Sequence, residues 1–313
     1  MQGCMTPFTT DRRFKLILFI GDGRLGNQVF QYAALCSLAA PGARILAVGL
    51  DDLPQAFELT GPRCVVVPAG MWMKRLVKYL IQPLIFRPLA RWLRLTWYAR
   101  EPNTRGMHRG SGGVLELRRG WLSEVVFVDG GFYQSSDFWP RLFPPDCLRL
   151  RDHWREQARD ILKLSGVRDQ RPIFLHVRRT DYLNFTTYGL RDLLLPAAYF
   201  RQGVARARER LGHRRLVIVT DDRDWVERSF GDIEDHVVVS TQPMVDFAII
   251  AECAGGILSN STFSLAAALF VRDPEIVLGP EYWLGFRVQR WLPPRIRFGH
   301  PRIEYLAVDS VAT

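Results

Sequence analysis

The chain has 313 residues, of which 48% are apolar and 24% charged, a composition that excludes a disordered protein and predicts more than one hydrophobic core. An excess of 42 Lys and Arg over 32 Asp and Glu gives a net charge of +10, which favours acidic partners: nucleotide phosphates, anionic lipid or nucleic acid. Five scattered cysteines without a C-x-x-C pair fit neither a zinc site nor a disulfide framework, and they predict a reducing compartment, the cytoplasm.

Membrane-spanning segments are not expected from the sequence. Residues 1–13 lack the apolar stretch of a signal peptide, and no apolar run approaches the roughly 20 residues that span a bilayer. The sequence therefore predicts a protein that is either soluble or bound to a membrane surface.

The first half of the chain opens with a strand, a glycine-containing turn and a helix. Short apolar runs downstream predict further strands. The strands are expected at residues 14–20, 45–48, 65–67 and 125–128, and the helix at 27–39. A strand, a helix and a second strand in succession indicate parallel pairing, so we expect a parallel sheet.

A basic and aromatic segment, residues 71–100, separates two of these strands. Its apolar residues recur at helical spacing, and it has no acidic residue. Its charged residues are Lys74, Arg75, Lys78, Arg87, Arg91, Arg94 and Arg100, and its tryptophans are Trp72, Trp92 and Trp97. The pattern is typical of helices at the interface of an anionic membrane, here its inner face. The alternative is a core-packed helical pair with a solvated basic face, which Pro83 and Pro88 slightly favour because they interrupt a long helix.

The second half of the chain alternates regularly between strands and helices. It follows a polar connecting helix at residues 151–164. Strands are expected at 173–177, 216–219, 237–239, 256–258 and, last, 276–278, and helices at 198–211, 225–230, 245–253 and 263–270. We therefore predict two Rossmann-like α/β domains, residues 1–150 and 151–313, that face each other across a cleft.

The turn Gly21-Asp22-Gly23-Arg24-Leu25-Gly26 matches G-x-G-x-x-G between the first strand and helix. Dinucleotide binding by this motif needs an acidic residue about 20 positions later, and Asp51 and Asp52 follow the second strand. An NAD-dependent oxidoreductase is therefore one interpretation. A plain tight turn is at least as consistent with the sequence, because Arg24 would crowd the approach of a cofactor to the backbone.

Four charged or titratable residues follow the apolar run at 173–175: His176, Arg178, Arg179 and Asp181. In α/β proteins, ligands bind beyond the carboxyl ends of the strands. The planar fork of arginine matches phosphate oxygens two bonds at a time, so the pair predicts a diphosphate site. An ordinary strand end with solvated ion pairs is the alternative, and the sequence alone leaves both open.

Three further polar groups follow later strands. Residues 259–262, Ser-Asn-Ser-Thr, precede an apolar helix, whose first-turn N–H groups and dipole favour an anion, whereas a cap would need only one of the four residues. Asp246 begins another helix, as a cap or as an acceptor for a nucleobase. Asp221 and Asp222 could hold Mg²⁺, but we favour a role in orienting the neighbouring loop, because the arginines would already neutralise phosphate.

Four stretches taken together resemble the α-1,2-fucosyltransferases of glycosyltransferase family eleven, in their bacterial form. They cover residues 23 to 264, most of the chain. They are residues 23–33 (GRLGNQVFQYA), 176–182 (HVRRTDY), 219–222 with Trp225, and 246–253 (DFAIIAEC) leading to 259–264 (SNSTFS).

The resemblance implies a GT-B-like pair of Rossmann-type domains, of which the C-terminal one binds GDP-fucose and the N-terminal one the acceptor. It further implies transfer of fucose with inversion, without a metal or cofactor, to the 2-hydroxyl of a galactose-terminated glycan. Arg178 would hold the β-phosphate, His176 and Ser264 would lie beside the diphosphate, and Asp246 would read the guanine edge. The remaining expected donor-site residues are Arg179, Asn260, Ser261, Thr262, Phe263, Gly23, Arg24, Gly26, Asn27 and Gln28.

The catalytic base is the least defined part of this interpretation. Related α-1,6 enzymes carry a glutamate where this chain has Thr186, so Asp181 is the candidate, and its other role would be to hold an arginine in place. Besides the oxidoreductase, a nucleic-acid-binding protein that uses the charge of +10 is a further class. We expect GDP-fucose and a glycan as partners, and no nucleic acid.

Overall fold

The computed structural model of the chain describes residues 13–92, 95–100, 115–118, 121–128, 130–134, 146–167, 170–187, 189–292 and 303–309. The chain divides into two compact units, Met1–Arg149 and Leu150–Thr313. Among the described helices, none is both long and apolar enough to cross a membrane.

The first unit is built on a six-stranded sheet. Its strands are β1 (Phe14–Ile20), β2 (Ala39–Val48), β3 (Phe57–Leu59), β4 (Arg63–Val67), β5 (Leu95–Arg100), β6 (Leu115–Arg118), β7 (Leu122–Val128) and β8 (Leu148–Leu150). Its helices are α1 (Leu25–Leu38), α2 (Leu53–Ala56), α3 (Met71–Leu76) and α4 (Arg87–Trp92), with a π-type helical stretch, Val77–Phe86, between the last two. The sheet order is β4-β2-β1-β7-β5-β6, in which β6 alone of the described strands is antiparallel, and β3 pairs with β8 separately. The predicted parallel pairing is confirmed for five strands of this sheet, and β6 adds an antiparallel edge that the sequence analysis did not predict.

The basic segment at residues 71–100 is not helical throughout. Its last part forms β5, in which Thr96, Trp97 and Tyr98 stand opposite residues 126–128 of β7. β-branched and aromatic residues suit a pleated strand, and pairing with β7 overrides the helical spacing. The two prolines do not end the helical run. Pro83 lies in the π-type stretch, and Pro88 lies in α4, which follows that stretch directly.

The second unit contains a fully parallel six-stranded sheet. Its strands are β9 (Ile173–Val177), β10 (Leu216–Thr220), β11 (His236–Val239), β12 (Gly255–Ile257), β13 (Ile276–Pro280) and β14 (Ile303–Leu306). Its helices are α5 (Asp152–Leu164), α6 (Ala197–Leu211), α7 (Arg223–Phe230), α8 (Pro243–Glu252) and α9 (Thr262–Leu269). The order is β11-β10-β9-β12-β13-β14, which within the unit reads 3-2-1-4-5-6, the order of dinucleotide-binding folds.

The predicted class, two Rossmann-like α/β units, is therefore confirmed, while their placement across a cleft stays a prediction. One element of the second unit was missed, because β14, and not the strand at 276–278, is the last described strand. The four residues of β14, Ile-Glu-Tyr-Leu, give only a weak strand pattern in the sequence. Pairing with β13 stabilises this strand.

The core of the second unit explains why polar residues accumulate at the strand ends. All five residues of β9 and of β10 are buried. Tyr199, Phe200 and Phe230 from α6 and α7 pack over the strands. A parallel sheet covered on both faces buries mainly apolar side chains, and the polar exceptions, His176 and Thr220, stand at or next to the carboxyl ends of β9 and β10, so functional groups appear where the strands end.

Candidate functional site at the carboxyl ends of the second sheet

Three neighbouring strands, β10, β9 and β12, bring together the polar groups that the sequence places far apart. β9 leads into residues 178–182, β10 into 221–222 and β12 into 259–261. The strand order reverses between β9 and β12, and this switch point is where open α/β sheets form their ligand crevice. The site therefore has the position that the sequence analysis predicted for it.

Arg178 is held by two carboxylates at this edge. Its Nε and Nη2 donate to Oδ1 and Oδ2 of Asp181 at 2.8 and 2.6 Å, and Nε lies 3.2 Å from Oδ2 of Asp221. The bidentate pair fixes the plane of the guanidinium. No described residue accepts from Nη1, and the side chain stays 21% exposed, so one edge of the fork is available to a ligand.

Asp221 organises the loop that carries both arginines. Its carboxylate accepts the backbone N–H of Arg179 at 2.8 Å and that of Thr180 at 3.2 Å, together with the Thr180 hydroxyl at 2.5 Å. The prediction that this acidic pair orients the neighbouring loop is confirmed by these bonds.

Arg179 lies flat on an aromatic ring. Its guanidinium carbon is 4.0 Å from the centre of the Trp225 ring, and its Nε donates to Oδ2 of Asp222 at 3.1 Å. Asp222 also caps α7, since its Oδ1 accepts the backbone N–H of Trp225. Stacking and ion pairing together hold this arginine against the protein. The sequence analysis did not find this contact, because nothing in the sequence fixes which ring a given arginine will cover.

His176 is a buried neutral imidazole. Its Nδ1 lies 2.7 Å from the Ser259 hydroxyl, which joins the end of β9 to the residues after β12. Burial, and secondarily the positive charge of Arg178, lower the pKa of His176 to about 3. The imidazole is therefore uncharged at neutral pH and acts by hydrogen bonding.

The Ser-Asn-Ser-Thr run is largely engaged by the protein itself. Ser261 caps α9 by accepting the backbone N–H of Phe263 at 3.3 Å, and the Ser264 hydroxyl donates to the Ser261 carbonyl at 3.1 Å. The side-chain amide of Asn260 donates to the Leu193 carbonyl, and the backbone carbonyl of Asn260 accepts from the Tyr182 hydroxyl at 3.0 Å. The Thr262 side chain makes no hydrogen bond within the described residues. What the run offers a ligand is thus this hydroxyl and the positive end of α9.

Asp246 has a half-engaged carboxylate in the first turn of α8. Its Oδ1 accepts both the backbone N–H and the hydroxyl of Thr241, at 3.1 and 2.6 Å. Burial raises the pKa of Asp246, and the two bonds from Thr241 oppose that effect. No described residue donates to Oδ2. The N-cap of α8 is Gln242, without a side-chain cap bond, so the Asp246 carboxylate instead ties Thr241 to the helix and leaves its second oxygen for a further donor.

A buried side chain of α1, Gln28, holds the glycine turn of the first unit, residues 21–26, in place. Gln28 is fully buried, and its amide donates to the Gly23 carbonyl and to Asp52 while accepting the backbone N–H groups of Asp52 and Leu53. All four hydrogen-bonding positions of the amide are used, so Gln28, expected to bind the donor, positions the turn instead. Buried polar residues in an apolar helix are the signal that would have shown this role.

The other predicted residues of the turn have different environments. Gly26 is buried in α1, whereas Arg24 is exposed at the start of that helix. Asn27 accepts from the amide of Gln134 at 3.0 Å. The oxidoreductase interpretation gains no support, because Asp52 is bonded to Gln28.

A protein-family model matches the part of the chain that contains this site. Residues 130–283 match the model of Glyco_transf_11, glycosyl transferase family 11. The matched residues include β9, β10, β12 and the loops after them.

The chain is also similar to curated proteins. The chain is 27% identical over 277 residues to galactoside alpha-(1,2)-fucosyltransferase 1 of Saimiri sciureus, 28% to that of Lagothrix lagotricha, and 25% over 272 residues to that of Sus scrofa. Each alignment covers 82% of this chain and 66% of the relative, so the chain spans slightly less than two thirds of the length of these relatives.

Solved structures show looser likenesses. The fucosyltransferase NodZ from Bradyrhizobium has 14% identity and a TM-score of 0.47, with 83% of this chain and 93% of that chain covered. A glycosyl transferase family 9 protein from Veillonella parvula has 14% identity and a TM-score of 0.47, with 95% and 87% covered.

Proposed function

We propose that this protein, whose residues 130–283 belong to glycosyl transferase family 11, is a fucosyltransferase that moves L-fucose from GDP-β-L-fucose to a sugar hydroxyl. The hydroxyl we propose is the 2-OH of a terminal β-galactoside, because the curated relatives are named galactoside alpha-(1,2)-fucosyltransferases. The single observation that carries the proposal is the Arg178 fork, fixed in plane at the switch point of a Rossmann-ordered sheet.

Arg178 would act on the leaving group. When the bond between the anomeric carbon and the β-phosphate oxygen breaks, negative charge develops on the diphosphate. The available edge of the guanidinium and the positive end of α9 would stabilise that charge, a role that a metal ion plays in other transferases. A donor that is already fixed needs no reorganisation as the charge develops, which is why such groups lower barriers.

The nucleoside would extend away from the diphosphate towards α8. We assign Oδ2 of Asp246 as acceptor for the N–H groups of the guanine edge, with Thr241 holding the other oxygen. Oδ2 has two lone pairs, so this single oxygen can accept both N–H groups of that edge. His176, Ser264 and Thr262 would surround the diphosphate.

The acceptor sugar would attack the anomeric carbon from the face opposite the leaving diphosphate, which inverts the configuration. The proton of its hydroxyl would pass to a base, for which Asp181 is our candidate. The bidentate contact with Arg178 also gives Asp181 a second role, because it orients the guanidinium that meets the phosphate.

A thermal-shift comparison tests the donor site. With GDP at about 100 times its dissociation constant, a gain of roughly 2.7 kcal/mol in stability is expected, whereas NAD and an oligonucleotide should have no comparable effect. Stabilisation by NAD instead of GDP would return the assignment to an oxidoreductase, and stabilisation by the oligonucleotide alone to a nucleic-acid-binding protein.

Turnover tests the acceptor. The protein is incubated with GDP-fucose and a β-galactoside, and in parallel with the 2-deoxy analogue of that galactoside. Transfer to the first and not to the second is expected. Equal transfer to the 2-deoxy analogue would show that another hydroxyl is the acceptor.

A further inference from the structure

The helical run of the first unit, residues 71–92, exposes an unusual amount of apolar surface. Two tryptophans stand out, since Trp72 is 80% and Trp92 79% exposed. The large apolar side chains exposed here are Trp72, Met73, Leu80, Leu84, Ile85, Leu89 and Trp92. Single exposed apolar residues are ordinary, but several large ones on one helical run indicate an interaction surface. We call this set the apolar surface of residues 71–92.

The apolar surface is not a core face left uncovered. The run already packs on the sheet of its own unit, through Val77 and Ile81 against Ile20 and Phe127. The alternative of a core-packed helical pair is therefore wrong for Trp72 and Trp92, which are exposed. The run has an inner apolar contact and, separately, an outer apolar surface.

Charge indicates what covers the outer surface. Residues 71–92 include five basic residues, Lys74, Arg75, Lys78, Arg87 and Arg91, and no acidic residue. Arg94, which belongs to the same basic segment of the sequence, lies outside the described residues. A second copy of this chain would bring two sets of five positive charges together, which is unfavourable. An anionic surface complements them, and indole rings favour the boundary between lipid headgroups and acyl chains.

We propose that residues 71–92 dock on the surface of a bilayer that contains anionic phospholipid. The exposed tryptophans and aliphatic side chains enter the headgroup boundary, and the basic residues pair with lipid phosphates. At low ionic strength each basic residue near such a surface raises partitioning roughly fivefold. The protein thus binds peripherally, without a spanning helix.

Vesicle co-sedimentation of the full chain tests this proposal. Vesicles of phosphatidylcholine alone are compared with vesicles that also contain phosphatidylglycerol, at low and high salt. The chain should sediment with the anionic vesicles only, and salt should release it because exposed charges are screened. Sedimentation with neither kind of vesicle at low salt would overturn the proposal.

A matched pair of variants identifies the surface. Trp72→Ala with Trp92→Ala should reduce partitioning by roughly tenfold or more, since each indole buries a large apolar area in the interface. Trp121→Ala is the control, because Trp121 is also 79% exposed but lies outside residues 71–92. Equal loss in the control, or wild-type binding in the double variant, would contradict the assignment.

Two further measurements test the role of the basic residues and the alternative of self-association. The double variant Arg87→Gln with Arg91→Gln leaves the apolar side chains in place. It should bind anionic vesicles more weakly than the wild type. Unchanged binding would exclude the electrostatic part of the proposal. Sedimentation velocity is run in the absence of lipid. Self-association that disappears in the double tryptophan variant would show that a second copy covers the surface, and would overturn the membrane proposal.

Discussion

Arg178 shows how a single side chain is prepared for an anionic ligand. Its fork is held by Asp181, its Nε also approaches Asp221, and one edge stays available. The conformational entropy of this long, flexible side chain is therefore lost when the protein folds and not when a ligand binds. Such an arrangement depends on planar geometry, which a lysine cannot supply.

Replacement of Arg178 by lysine should therefore be nearly as damaging as replacement by alanine. We expect kcat/KM for fucosyl transfer to fall on the order of 10²–10³, because one preorganised donor is lost. Steady-state kinetics with GDP-fucose as donor measure the change. Arg201→Lys is a matched control, since Arg201 of α6 makes an equally bidentate pair with Asp232. Near-normal turnover in Arg178→Lys would show that the fork does not contact the phosphate.

Asp181→Asn separates the two roles of that residue. Both carboxylate oxygens accept from Arg178, so the variant should hold the guanidinium less firmly. We therefore expect GDP to bind about tenfold more weakly. This is the low end of the range for a hydrogen bond between charged groups, because the two side chains are partly exposed. Calorimetric titration with GDP measures the affinity, and turnover is measured at saturating donor. Unchanged GDP affinity with lost turnover would instead identify Asp181 as the base alone.

Burial of neutral His176 should make the protein sensitive to acid. The folded-state pKa, about 3, lies below the unfolded value near 6.5, so between these limits the unfolded state binds the additional proton. The free energy of unfolding should fall by roughly 1.4 kcal/mol per pH unit as the pH drops below 6.5. Urea denaturation at several pH values gives the slope.

His176→Gln should reduce this slope, because the titrating group is removed. His213→Gln is the control, since His213 is exposed and hydrated in both states. An equal slope in wild type and His176→Gln would mean that other groups cause the acid sensitivity.

At the scale of elements, the turn before α1 depends on a glycine for two separate reasons. Gly23 has φ +81°, and an added Cβ would lie 2.4 Å from the Asn27 amide nitrogen. Gly42 has a similar φ, +73°, but nothing lies within 4 Å of the corresponding Cβ position. The two glycines therefore separate backbone strain from steric contact.

Gly42→Ala should cost about 1 kcal/mol, the penalty of a left-handed backbone conformation for an L side chain. Gly23→Ala should cost at least about 1 kcal/mol more, since Asn27 must also move. Chemical denaturation of both variants measures the difference. Equal losses would show that Asn27 adapts freely and that only the backbone conformation matters.

At the scale of the whole molecule, the chain has two compact units with a sheet and a buried core in each. We expect calorimetry to show two unfolding transitions, and GDP to raise only the one that belongs to the second unit. Phe30→Ala and Phe200→Ala remove fully buried rings, one in each unit, and should each lower one transition by an amount equivalent to about 3–5 kcal/mol. A single transition that both variants and GDP shift together would contradict this expectation.

The sequence by itself determined most elements of the second unit and the strand ends at which the candidate residues lie. Apolar runs such as residues 173–177 are local signals, and the polar residues that end them are adjacent in the chain, so both can be read without any contact. The parallel class followed from the alternation of strands and helices. The strand at 95–100 was not found this way, because helical spacing does not show what a segment will pair with. The role of Gln28 was also missed, although a polar residue in an apolar helix is visible in the sequence.

Only the tertiary structure decided which groups meet. Asp221 binds the backbone of Arg179 from 42 positions away, and Ser259 reaches His176 from 83 positions away, through strands that are neighbours in the sheet but not in the chain. The structure likewise separated the packed residues of the run at 71–92 from its exposed ones, although the sequence gives both groups the same apolar character. Side-chain partners and burial are set by strand order and packing, and these are properties of the assembled sheet that no local pattern encodes.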